Sequence, residues 1–261
     1  MSPETRDPEQ LAEGTLISHL LELRDRLLRS TIAILVVFLP FAFFANDLFT
    51  VVAKPLIDKL PEGNSLIATS VVAPFMTPLK LSLFAAIFVA MPYVLYQIWA
   101  FVAPGLYRHE KRFALPLFGS SVVLFYAGTA FAYFIVFPLM FRFLAMTTPA
   151  GVKMMTDISS YLDFVVLLFF AFGMAFETPV ATVLLIASGL VSIKTLRKNR
   201  GYVLLGIFVV AAFLTPPDAI SQTAMAVPMY LLYEIGILLS GFVVKNRPAQ
   251  RAGEGATGAG D

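Results

Sequence analysis

Cysteine is absent from this chain, which excludes a disulfide framework, a thiolate metal site and a cysteine nucleophile. Histidine is nearly absent: only His19 and His109 occur, too few imidazoles for a typical histidine-based metal site. Charge is scarce as well. Charged residues make up 14% of the sequence and hydrophobic residues 58%, whereas soluble chains average roughly a quarter charged. A soluble domain is excluded by that ratio. No Walker A sequence, HExxH or paired-aspartate protease signature occurs, so nothing calls for a metal, another cofactor or a nucleic acid partner. Met1–Gly14 is polar and acidic, without the basic start, short apolar core and small-residue cleavage site of a signal peptide. The first apolar helix is therefore expected to stay as an anchor.

What is present is a series of apolar runs of around 20 residues, each long enough to cross a hydrocarbon core of about 30 Å. The expected fold is an all-α integral membrane protein of six helices, over about 27–45, 77–101, 113–137, 161–190, 202–214 and 223–244. Residues 1–245 would form one membrane domain and 246–261 a disordered cytoplasmic tail, since the tail is rich in Gly and Ala. The fifth helix is short: 13 residues rise only about 20 Å. Pro228 shortens the regular part of the sixth, so the fifth and sixth helices are both expected to be short. Pro40, Pro78, Pro92, Pro116, Pro138 and Pro179 also fall within or at the ends of helices. Each removes a backbone donor, so kinked helices in a concave body are expected. Two longer connections, about Asn46–Met76 and Thr147–Ser160, are read as outside loops.

Orientation follows from the basic residues. Fourteen of the 19 Lys and Arg residues fall in the N-terminal segment, around 104–113, around 191–201 and in the tail. The positive-inside rule then puts both termini in the cytoplasm.

Within two of those basic flanks stands a carboxylate. His19-Leu-Leu-Glu-Leu-Arg-Asp-Arg26 carries Glu22, and Ala103-Pro-Gly-Leu-Tyr-Arg-His-Glu-Lys-Arg112 carries Glu110. On a helix, Glu22 and Arg26 stand at i and i+4, as do Asp25 and Arg29, which by itself describes surface ion pairs. The other reading gives Glu22 an external guanidinium to accept. Glu110 is either a neutralising charge or a second acceptor, with aromatic surface from Trp99 and Phe101 beside it. Glu177 lies mid-membrane next to Pro179, where ionisable groups are costly and functional candidates by default; a structural acid at the bend is the equal alternative. Glu234 sits nearer the cytoplasmic end of the sixth helix and is read as structural. Thr215-Pro-Pro-Asp218 is a tight outside turn, with Gln222 one turn later.

These residues together resemble the TatC family of twin-arginine translocase subunits. The resemblance runs from about Leu16 to Val244. It rests on the two flanks, on Phe172–Val180, and on Leu214-Thr-Pro-Pro-Asp-Ala-Ile-Ser-Gln222 followed by Pro228-Met-Tyr. It implies a glove-like six-helix receptor and core for export of folded proteins, driven by the proton gradient, lying in the bacterial cytoplasmic membrane with both termini in the cytoplasm. Its implied partners are single-span subunits of the TatA/TatB type, twin-arginine signal peptides, membrane lipid and further copies of itself. Carried over by position, Glu22 and Glu110 would contact the signal's paired arginines, with Arg24 and Phe101 shaping the patch. Glu177 would be the polar residue within the glove, and Asp218 and Gln222 would serve outer-face and partner contacts.

Two other classes compete. A proton-coupled solute transporter would use Glu177 as carrier, although the sequence shows no internal repeat of the kind such folds use. An intramembrane serine enzyme built on Gly119-Ser-Ser lacks a histidine base in any membrane segment.

Overall fold

The computed structural model describes residues 8–57, 67–106, 114–147, 155, 157–214 and 219–245. Ten α-helices carry the described chain: α1 (Pro8–Phe43), α2 (Ala45–Ile57), α3 (Ala73–Leu106), α4 (Ala114–Phe131), α5 (Phe137–Thr147), α6 (Ile158–Phe176), α7 (Thr178–Ala187), α8 (Ile193–Lys198), α9 (Arg200–Leu214) and α10 (Ala219–Lys245). Five stretches are long and apolar enough to cross a membrane: Ile17–Phe43, Ala73–Phe101, Leu115–Met140, Ile158–Ala187 and Gln222–Gly241. Arg200–Leu214 is the shorter apolar helix that completes the expected six. Shortness thus falls on the fifth, whereas α10 runs 27 residues as a helix.

Proline acts unevenly on these helices. Pro92 leaves α3 continuous, but α4 passes into α5 through a π-helical turn at Ala132–Val136, just ahead of Pro138. Pro138 has no N–H for the Phe134 carbonyl, and the wider π turn falls just ahead of the place where that helical bond is lost. The fourth span breaks at Glu177 into α6 and α7, with Pro179 in the first turn of α7. A proline is well tolerated there because first-turn N–H groups have no helical partner.

The chain falls into two compact units. The first takes its described residues from Met1–Val123 and Phe137–Phe170. Within it, α1 turns one face to α3: Glu22, Arg26, Ser30, Ala33, Val37 and Phe41 recur at helical spacing and are its less exposed positions. Three contacts set the antiparallel register. The His19 ring stacks on Phe101 at 4.3 Å, Arg26 bonds Gln97, and Ser82 Oγ lies 3.0 Å from the Phe41 carbonyl near the end of α1. The start of the first span and the end of the second therefore share one end of this unit.

At the opposite end, α3 and α6 run side by side. Leu81, Leu162 and Val166 form a buried cluster, against which Leu48 and Phe49 of α2 pack. The segment expected as an outside loop at Asn46–Met76 thus contains a helix, because those two side chains need an apolar partner. The Thr77 and Ser159 hydroxyls bond at 2.8 Å, and Lys80 meets both oxygens of Asp163 at 3.1 Å.

Asp157 tightens this end. Its Oδ2 accepts the Ser160 N–H at 2.9 Å and caps α6, while its Oδ1 accepts the Thr69 N–H at 3.1 Å and hydroxyl at 2.9 Å. The Ser160 amide, then the Thr69 amide and hydroxyl, hold the carboxyl well below the usual carboxylate range. A depressed pKa contributes stability that is complete at neutral pH and lost only in acid below that range. Asp157→Asn is therefore expected to quicken hydrogen exchange at the Thr69 and Ser160 amides at pH 7. Unchanged exchange would show that the clamp is idle.

The second unit takes its described residues from Leu124–Val136 and Ala171–Asp261. Met225, Met229, Tyr233, Ile237 and Ser240 make the buried stripe of α10 at helical spacing. A Cβ on Gly236 would stand 3.0 Å from Pro179 Cα and Thr182 Cβ, so α10 meets α7 almost backbone to backbone.

Candidate functional site

The acidic position in the first flank is partly built. On α1, Arg26 donates from Nε at 2.9 Å and from Nη2 at 2.5 Å, both to Oε1 of Glu22. Its third nitrogen, Nη1, reaches Oε1 of Gln97 on α3 at 3.3 Å. Gln97 is 4% exposed, whereas the side chains of Arg26 and Glu22 are 21% and 37% exposed. Burial thus falls steadily outward from Gln97 to the carboxylate. The His19–Phe101 stack lies on the same two helix faces, since 19, 22 and 26 follow helical spacing on α1 and 97 and 101 on α3. The result is a half-exposed carboxylate beside a stacked aromatic pair.

Not every expected residue joins it. Arg24 turns its Nε and Nη2 onto Asp25 at 3.0 and 2.8 Å, and positions two apart on a helix do not face each other. The expected Asp25–Arg29 pair is thereby replaced by Arg24–Asp25. Glu110 lies outside the described residues, and so does Asp218.

In the second unit Glu177 is the hinge residue between α6 and α7. Its N–H bonds the Met174 carbonyl at 3.1 Å and its carbonyl accepts from Ala181 at 2.8 Å. Gln222 Nε2 donates to the Phe208 carbonyl at 3.0 Å and ties α10 to α9. Glu234 is tied on both oxygens, to Arg200 Nη2 at 2.6 Å and to the Tyr230 hydroxyl at 2.9 Å. That is the geometry of a structural acid.

The family model for the Sec-independent protein translocase protein (TatC) matches residues 18–228. The chain belongs to the TatC family. It is 55% identical over 251 residues to a Sec-independent protein translocase protein TatC from Azotobacter chroococcum mcd 1, covering 96% of this chain and 98% of that one. The protein of the same name from Escherichia coli (strain K12) is 56% identical over 229 residues, covering 88% and 89%. Crystal structures of the twin arginine translocase receptor TatC, one of them in DDM, match with TM-scores of 0.74 and 0.77 at 38% identity. They cover 87% and 85% of this chain and 99% of each of theirs. As a TatC-family member this multi-pass chain is a translocase component, a transport protein and not an enzyme.

The spacing on α1 placed Arg26 beside the candidate Glu22, but nothing in it named the Gln97 amide that holds Arg26. The role of Gln97 was signalled only by an amide inside the apolar run Tyr93–Trp99. Its partner lies 71 residues away, on a different span.

Proposed function

We propose that this TatC-family chain is the signal-peptide receptor and core of the twin-arginine export machinery. It lies in the bacterial cytoplasmic membrane as one six-span domain with both termini inside. Glu22 and Glu110 accept the signal's two arginines, Phe101 and Arg24 border that patch, and Glu177 is the polar group within the membrane. Asp218 and Gln222 serve the outer face and the TatA/TatB-type single-span partners. The proton gradient drives transport.

The observation that carries this reading is the half-exposed Glu22 carboxylate, aligned by Arg26 beside the His19–Phe101 stack. A guanidinium presents a planar fork of directed N–H donors to a carboxylate oxygen, and a compact ammonium does not. Each charge-assisted bond contributes roughly 1.5–3 kcal/mol net. Two give about 3–6 kcal/mol, millimolar binding or somewhat tighter. The arginines therefore select, and the signal's apolar stretch adds the remaining affinity.

In cells lacking their own subunit of this kind, the chain with single-span partners is expected to restore export of a folded twin-arginine reporter. Dissipating the proton gradient stops that export. Failure to restore it, or export insensitive to the gradient, contradicts the proposal.

A further inference from the structure

We propose that Arg26, anchored by Gln97, is a specificity-determining residue that makes Glu22 select a guanidinium over an ammonium. The inference rests on the reading of Glu22 as an acceptor of signal arginines and adds how that acceptor discriminates.

The geometry supplies the mechanism. Both Arg26 bonds to Glu22 fall on one oxygen, Oε1. No described residue bonds Oε2. Arg26 is itself held, because an arginine only donates and the buried Gln97 amide turns its oxygen toward Nη1. A guanidinium fixed at both ends keeps the carboxylate plane in one orientation, with Oε2 outward. It also makes the pair neutral, so no net attraction remains for an arbitrary cation. An incoming ammonium is compact and strongly hydrated, loses more hydration in a half-exposed site, and feels the Arg26 charge at a point. An incoming guanidinium is planar, delocalised and weakly hydrated, and meets Oε2 with directed N–H groups. Selection thus comes from a repulsive element beside the attractive one.

This has a consequence that loss of packing does not share: removing Arg26 should improve binding of the wrong ligand. Arg26→Gln leaves Glu22 a net negative charge and frees its rotation. Gln97→Leu keeps the charge pair and removes only the anchor, in a buried position where an apolar side chain of similar size is tolerated.

The experiment uses the purified full-length chain in lipid nanodiscs with two fluorescent signal peptides, one twin-arginine and one with both arginines replaced by lysine. The wild type should prefer the twin-arginine peptide. In Arg26→Gln the twin-lysine peptide should bind more tightly, so that the ratio of the two dissociation constants falls about tenfold, near the size of one charge-assisted bond. Gln97→Leu should lower the ratio in the same direction by less. A wild type with no preference overturns the receptor reading itself, and this inference with it. A preserved wild-type preference with the ratio unchanged in both variants overturns the inference alone. Equal weakening of both peptides in both variants also overturns it, since that is what a purely structural role produces.

Discussion

Replacing Glu22 by alanine should weaken binding of a twin-arginine signal by about 10- to 150-fold, the equivalent of one charge-assisted hydrogen bond of roughly 1.5–3 kcal/mol. The loss is larger than an ordinary contact because of what is left behind. Arg26 is only 21% exposed and remains held toward Gln97, so the truncated site presents a cation where the signal presents another. Removing both members of a charge pair separates these contributions. The double variant Glu22→Ala/Arg26→Ala should bind more tightly than Glu22→Ala alone and more weakly than wild type. Glu22→Gln keeps the shape, loses the charge, and should fall between. Glu110→Ala should produce a loss of similar size. Membrane insertion and thermal stability stay unchanged in these variants, since the Glu22–Arg26 pair is partly exposed and such pairs contribute little to folding. Binding unchanged in both Glu22→Ala and Glu110→Ala would remove the two carboxylates from the site.

The second large effect concerns folding. A Cβ on Gly128 of α4 would run into the Phe172 carbonyl oxygen and stand 2.8 Å from Phe176 Cγ. The obstruction is partly backbone, which cannot swing aside. In an unobstructed helix interior, glycine to alanine gains up to about 1 kcal/mol; overpacking costs typically about 1–3 kcal/mol. Gly128→Ala should therefore lower the unfolding temperature of the purified chain, and Gly128→Val should lower it further. The damage passes through Phe131, which packs on Phe172 and Phe176 with ring centroids 5.6 and 5.5 Å apart. Gly119 and Gly206 are the controls: nothing stands within 4 Å of a Cβ at either, so alanine there should be neutral or stabilising. Equal unfolding temperatures for Gly128→Ala and Gly119→Ala would show that this close approach contributes nothing.

Gly128 also shows where the sequence stops being informative. Apolar length placed the membrane helices, because a bilayer imposes a minimum span whatever the tertiary contacts. The break at Glu177 was legible from Pro179, whose missing N–H is a local fact. The distant contacts were not. A glycine among apolar residues does not say which backbone approaches it, and Gln97 does not name Arg26. The helix at Ala45–Ile57 was hidden for a similar reason: the segment reads as part of an outside loop, and the partners of Leu48 and Phe49, which are Leu81, Leu162 and Val166, lie far along the chain. Asp157 was only a charge in an outside segment until Thr69 closed on it. In the candidate site Glu22 was legible because an acid in a basic flank is chemically odd. The oxygen on which Arg26 lands, and the one it leaves, depend on helix pairing that spacing alone does not supply.

The most direct test of the receptor reading is a site-specific crosslink. A photoreactive residue in place of Phe101, beside the His19 ring and on the same face of α3 as Gln97, should capture a twin-arginine signal peptide in membrane vesicles open to the cytoplasmic side. Capture should fall away when both arginines are changed to lysine or when Glu22 is changed to alanine. Equal capture of the arginine and lysine signals, or capture that ignores Glu22, would contradict the claim that this carboxylate reads the arginine pair.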